Sequence, residues 1–408
     1  MPRELNRADL SALARSGDTV FVAGGTAEPT AILAVWRETR CLDGVTLTGL
    51  QLPGLNDLSP WDFGDTCRFR ANFLSPGLRR SLANDAVDLM PMHHAAYYAW
   101  LEKTAPVNLA VFQVSPPDPN GLCNLGPCTD LLPAILSRFN VRLVAQINQR
   151  LPTCRDGVSV PLDRLDAVYR ADTPLPEFKI DGGDPLQGIA ENAATLIDDG
   201  ATVQIGIGRL PDQVLGRLSE RQRLTLHGGT VTASALALLE RGAVIRIVAG
   251  VALGDEVFYA RVATAPGIQF RPVSVTHGAA GLTGIDRFVA INTAIEVDLF
   301  GQANCEVAGA KLRAGFGGLN DFLRGAQNSP GGRSVLMLPA SHIIPRIGDP
   351  GLVSVQRGDV DTVVTEHGIT DLRGLSMQER AAALIAVAAP DRRAELEAGW
   401  KQLRDRMA

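Results

Sequence analysis

The stretch RLTLHGGTV (223–231) carries an apolar run into His227, Gly228 and Gly229. A histidine, with an ordinary pKa of about 6.5, suits proton transfer at neutral pH. Two bare glycines beside it, at what reads as the mouth of a βα unit, offer backbone and no reactive side chain. In GAKLRAGFGGLNDFLRG (309–325), Gly315, Gly317 and Gly318 crowd ahead of a helix starting near Asn320-Asp321-Phe322. Glycines let a ligand approach the backbone closely, and free N–H groups there can stabilise an oxyanion. An ordinary glycine loop capped by Asp321 is the plainer reading. In VQIGIGRLPDQVL (203–215), Gly206 and Gly208 separate a strand from a helix opening at Pro211. Amides at such a helix start can hold a phosphate or carboxylate, although the same sequence also makes a simple tight turn. In TVVTEHGITDLRG (362–374), Glu366 stands where an apolar strand ends and a helix-like stretch is expected to begin. That carboxylate is a candidate acid, base or positioning group, set against a solvated loop glutamate.

The elements that would position these residues are short and apolar. NLAVFQVS (108–115), RLVAQIN (142–148), VIRIVAGV (244–251), FVAIN (288–292), SVLMLP (334–339) and TVVTEHG (362–368) suit strands of a largely parallel sheet. AENAATLIDDG (190–200) and SMQERAAALIAVAA (376–389) read as helices, the second with Ser376 and Glu379 as a capping box. His93 and His94 fall in an apolar helical stretch and read as packed, His367 reads as structural, and Asp118 and Asn120 as holders of a turn-rich loop.

The chain repeats itself. GDTVFVAGGTAEPTAIL (17–33) parallels GATVQIGIGRLPDQVL (200–215), and GVTLTGLQL (44–52) parallels RLTLHGGTV (223–231) in the same order. We therefore expect two similar open α/β domains with largely parallel sheets, residues 1–183 and 184–408, joined through the Pro/Gly/Asp-rich segment 172–185. Ligands of such sheets bind at strand C-termini, which directs the expected site to the interdomain cleft.

Composition narrows the function. The 408 residues are 46% hydrophobic and 20% charged, with a net charge of −5. No basic block appears, which argues against nucleic acid as a partner. The N-terminal MPRELNRADLSALARSGD reads as a capped helix, and no apolar stretch approaches membrane-spanning length, so a cytoplasmic, non-membrane protein is expected. Cysteines 41, 67, 123, 128, 154 and 305 are scattered, and the Cys123–Cys128 spacing is poor for zinc, so no metal is expected.

Taken together, FQVSPPDPNGLCNLG, LIDDGATVQIGIGRLPDQV, AINTAIEVDLFGQANCE, GFGGLNDFLRGA with PGGRSV, and VVTEHGITDLRGLSMQERAAALI resemble the acetyl-CoA hydrolase/CoA-transferase family of class I CoA-transferases nearly end to end. The resemblance implies a CoA-transferase-like duplication, coenzyme A as acyl-CoA substrate, a carboxylate co-substrate and a homo-oligomer. It implies Gly317, Gly318, Gly206 and Gly208 as oxyanion-hole or CoA-ester-binding positions and Glu366 as a catalytic residue. In that family the counterpart of LTLHGGTV reads like L-G-I-H-(S/T)-E-M, and its glutamate carries CoA as a glutamyl thioester. Here His227 is kept and Gly229 stands in the glutamate's place, so covalent catalysis at that position is lost. Glu240, the next carboxylate, belongs to the following helix. In RPVSVTHGAAG (271–281), His277 matches an asparagine that the family places near substrate. With His227, His277 and Glu366 as candidate proton carriers, three outcomes stay open. They are direct acyl transfer or hydrolysis, non-covalent decarboxylase-type or other enolate chemistry, and CoA-ester binding without turnover.

Overall fold

The computed structural model describes residues 1–178 and 186–407. Residues 179–185 of the expected 172–185 linker, and with them the expected boundary between 183 and 184, lie outside the described residues. Two compact units emerge, one of Met1–Lys179 with Gly229–Ala233 and Ile247–Thr276, the other of Ile180–Gly228, Ser234–Arg246 and His277–Ala408.

The first unit holds an eight-stranded sheet. From edge to edge its order is Arg3–Glu4, Ala167–Arg170, Arg142–Ile147, Leu109–Val114, Thr19–Val22, Thr46–Thr48, Arg68–Ala71 and Val87–Leu89. Every neighbouring pair is parallel. Leu109–Val114 is buried along its whole length, as expected for a parallel strand covered on both faces. Helix Thr30–Thr39 buries Ile32, Leu33, Val35 and Trp36 and stops at Arg40, whose φ of 48° is left-handed. The core gathers Phe21, Tyr97, Leu101, Phe112, Leu132 and Ile135.

In the second unit, parallel strands run in the order Leu224–His227, Thr202–Ile205, Phe288–Thr293, Arg333–Met337 and Thr362–Thr365. Gly368–Asp371 closes that edge antiparallel to Thr362–Thr365. Phe288, Leu336, Val363, Leu384 and Trp400 share the core beneath helices Met377–Ala386 and Arg393–Met407. Ser376 and Glu379 form the expected capping box.

The repeat seen in the sequence is a repeat of structure. Thr19 and Val20 pair with Thr46 and Leu47 in one unit, and Thr202 and Val203 pair with Thr225 and Leu226 in the other. In each case a glycine-bearing turn follows the first strand and leads to a helix, Thr30–Thr39 or Arg209–Gly216. One expectation fails. The stretch after Glu366 is a hairpin and not a helix: Glu366 and His367 form its two-residue turn, and the chain returns as Gly368–Asp371. Gly368, at φ 145°, supplies a conformation side chains avoid, and Ile369 and Thr370 are β-formers.

Candidate active site

The C-terminal ends of the second unit's parallel strands carry Gly206, Gly208, His227 and Glu366. Thr202–Ile205 runs directly into Gly206 and Gly208, and Gly208, at φ 128°, is the N-cap of helix Arg209–Gly216. Beneath them, the amides of Gln204 and Asn292 bond to each other, with Asn292 Nδ2 donating to Gln204 Oε1 at 2.8 Å. A Cβ at Gly206 would stand 3.0 Å from Asn292 Oδ1, and one at Gly228 would stand 3.3 Å from Gln204 Cγ. These glycines keep the backbone thin over a buried amide pair. Each amide sits inside an ordinary strand, so the sequence carries no local signal of the pair.

His227 ends the strand Leu224–His227, half-buried, with its ring edge-on to Phe288 at 6.2 Å between centroids. Gly229 follows, and its carbonyl accepts from the N–H groups of Gly250 at 2.9 Å and Val251 at 3.0 Å. The residue at this turn is thus set by backbone pairing, and it presents no side chain.

The glycine loop is braced at both ends. The carbonyl of Glu306 accepts from the N–H of Arg313 at 2.6 Å, and Asn320 Nδ2 donates to Ser354 O at 2.9 Å. Glu306 is itself buried, takes a 2.7 Å hydrogen bond from Ser354 Oγ, and has its carboxyl pushed upward in pKa by burial. Gly317, at φ 52°, turns the chain, and Gly318 becomes the N-cap of helix Leu319–Asn328. His277 lies on this loop. Its buried ring packs against Phe322 at 4.3 Å between centroids, and a Cβ at Gly318 would fall 2.4 Å from His277 Nε2. The structure therefore brings the His277 imidazole against the backbone of Gly318, next to Gly317.

Glu366 is exposed at the hairpin turn, and its Oε2 accepts from Ala340 N at 2.9 Å. Thr365 before it is buried, held by Asn192 Nδ2 at its carbonyl and by its own hydroxyl to Val387 O. His227 and Glu366 end strands four places apart in the sheet order, a separation of about 19 Å at normal strand spacing. These two do not work on one proton. His94, read from sequence only as packed, forms a buried pair with Asp130, and their separation of 36 residues left no local signal of it.

Two α/β units with parallel sheets and glycine turns at strand ends make a fold whose ligands bind at the C-terminal ends of the strands. Residues 254–399 match the acetyl-CoA hydrolase/transferase C-terminal domain. The chain is 33% identical over 319 residues to the 4-hydroxybutyrate coenzyme A transferase of Clostridium kluyveri, covering 74% of each protein. It is 29% identical over 409 residues to the succinyl-CoA:acetate/propanoyl-CoA:succinate CoA transferase of Fasciola hepatica, covering 94% of this chain and 84% of that one. RipA from Yersinia pestis superposes with a TM-score of 0.86 at 26% identity, covering 98% of both chains. A 4-hydroxybutyrate CoA-transferase from Porphyromonas gingivalis superposes with a TM-score of 0.78 at 27% identity, covering 99% of this chain and 98% of that one. The chain belongs to the acetyl-CoA hydrolase/CoA-transferase family. Its CoA-transferase and acetyl-CoA hydrolase relatives support an enzyme acting on CoA thioesters.

Proposed function

We propose that this protein processes a short or modified acyl-CoA thioester without forming a glutamyl-CoA intermediate. The observation that carries this reading is Gly229, at the turn after His227 where the family's nucleophilic glutamate is expected. A residue without a side chain cannot become an anhydride or a thioester. The glycine loop supports retained thioester chemistry: the backbone at Gly317 and Gly318 holds the carbonyl oxygen, and each such donor contributes about 3 kcal/mol to the barrier lowering. Gly206 and Gly208 receive part of the CoA ester at the start of helix Arg209–Gly216. His277 is the proton carrier nearest the loop. Glu366, with one oxygen fixed by Ala340 N–H, acts as proton acceptor or positioning group.

A second reading, enolate chemistry such as decarboxylation, is favoured by His277 itself. A buried imidazole against an oxyanion loop is suited to protonating an enolate carbon. The test is product identity from a panel of short acyl-CoAs, including β-carboxylated and α,β-unsaturated ones, incubated with labelled acetate. Free CoA without labelled ester supports direct hydrolysis, and carbon dioxide or an altered acyl group supports the enolate reading. Rapid entry of label into a CoA ester at family-like rates would contradict the loss of the covalent route.

A further inference from the structure

A second set of chemically capable residues lies in the first unit, around Asp130. Asp130 Oδ1 stands 3.4 Å from His94 Nε2, and Asn72 Nδ2 stands 3.3 Å from His94 Nδ1. Asn72, His94 and Asp130 are 0%, 4% and 7% exposed. With the Asn72 amide donating, His94 Nδ1 accepts and the Nε2–H points at the carboxylate. Both ring nitrogens are then engaged, so the imidazole orients Asp130 and does not itself react. Asp130 is also held at φ 34°, a left-handed conformation uncommon outside glycine, which aspartate tolerates better than most residues.

Asp130 and Gly229, the position where the family's glutamate is expected, are both neighbours of Gly250. Gly250 lies between the two, donating its N–H to Gly229 O at 2.9 Å and accepting from Thr129 N at 2.8 Å. A Cβ on Gly250 would sit 3.1 Å from Asp130 Oδ1 and 3.2 Å from Gly229 O. A side chain at Gly250 would thus crowd both the Asp130 carboxylate and the Gly229 carbonyl. Asp130 and Thr129 also line a small cavity with Gly24, Leu50 and Cys128, with room for about one water molecule. The Thr129 hydroxyl is fully buried on that wall and has no hydrogen-bond partner among the described residues. The neighbouring Cys128 thiol is not a competing nucleophile, because burial pushes its pKa up and its Sγ points to Gly24 O.

We propose that Asp130 is the general base for direct hydrolysis of the acyl-CoA thioester, with His94 as its positioning residue and Thr129 as a partner for the attacking water. This rests on the acyl-CoA reading above and gives it a base and a reaction class. The water oxygen bonds to the thioester carbonyl carbon while its proton passes to the Asp130 carboxylate. Collapse of the tetrahedral intermediate breaks the carbon–sulfur bond, and the Asp130 proton passes to the departing CoA sulfur. The products are a carboxylic acid and free CoA.

The test uses the full-length protein and the acyl-CoA panel, with free thiol release as the readout. Asp130→Asn should lower kcat by about 100-fold or more, in line with removal of a general base. His94→Ala should lower kcat by about tenfold or more with KM unchanged, and added imidazole should restore part of the rate. A single turnover in 18O-water should place the label in the released acid and none in Asp130. Retention of kcat within about threefold in a folded Asp130→Asn protein would overturn the proposal, and so would label in the Asp130 carboxyl, which would mark it as a covalent nucleophile. If Asp130→Asn does not fold, the His94→Ala kinetics and the wild-type label decide in the same way. Wild-type protein inert toward the whole panel would overturn the acyl-CoA reading itself, a result distinct from the loss of Asp130 alone.

Discussion

The ring of His277 occupies the space a side chain at Gly318 would need, with Cδ2 and Nε2 both 2.4 Å from the Cβ position. Gly318 has an ordinary φ of −94°, so the demand for glycine is steric and not conformational. Gly318→Ala should therefore displace His277 or the loop, costing about 1–3 kcal/mol in stability. The double variant Gly318→Ala/His277→Ala should recover most of that loss in a denaturant melt while staying slow in turnover. Equal stabilities of the single and double variants would show that the ring and the loop are not coupled.

Glu366→Gln keeps an oxygen that can accept from Ala340 N, so the hairpin should hold its geometry. Turnover should nevertheless fall by well over tenfold if Glu366 positions the reacting groups, because a neutral amide no longer carries the charge. His277→Ala should produce a loss of similar size. Steady-state rates on the best acyl-CoA check both, and wild-type rates would remove these assignments.

Glu28 bears on stability. Burial raises its carboxyl to about 7, against weaker opposing effects of Arg37 and the Asn56 hydrogen bond and a small push upward from Asp57. The folded state holds this proton more tightly than the unfolded chain. The contribution is thus fully present below about pH 4.5, is lost as pH rises toward 7, and is constant above that. The change is at most about 3 kcal/mol. Denaturant unfolding at pH 5 and pH 8 should show the decline in wild type and a flatter profile in Glu28→Gln. The same slope in both would place its origin elsewhere.

Much of this architecture is legible in the chain because its signals are local. Runs such as LAVFQV and FVAINT are apolar and β-branched on both faces, and they form central parallel strands. Ser376 with Glu379 announces a helix start, and Thr-Val repeats announce two units with the same strand pairing. After Glu366 a two-residue turn and Gly368 send the chain back as a strand, where a helix is expected from the residues beyond. Pairings between distant residues were not legible. His277 lies on a loop about forty residues later in the chain, and nothing in HHAAYYAW or PCTDLL marks His94 and Asp130 as partners.

Ser376→Ala offers a simpler check on the frame that carries Glu366. The serine hydroxyl accepts from Glu379 N at 3.3 Å, and Ser376 N donates to the Glu379 carboxylate at 2.8 Å. Losing the cap should cost about 1 kcal/mol in unfolding free energy and leave turnover unchanged. A drop in rate would mean that helix Met377–Ala386 controls the hairpin turn more tightly than its contacts indicate.

The central claim is that no glutamate of this protein carries CoA. Mass spectrometry after rapid quenching of the protein with each active acyl-CoA, with and without borohydride or hydroxylamine trapping, addresses it directly. The account predicts unmodified glutamates throughout, with acyl-CoA consumed in the same tube. A CoA adduct, or its trapped alcohol or hydroxamate, on any glutamate would contradict it and would locate the nucleophile away from Gly229.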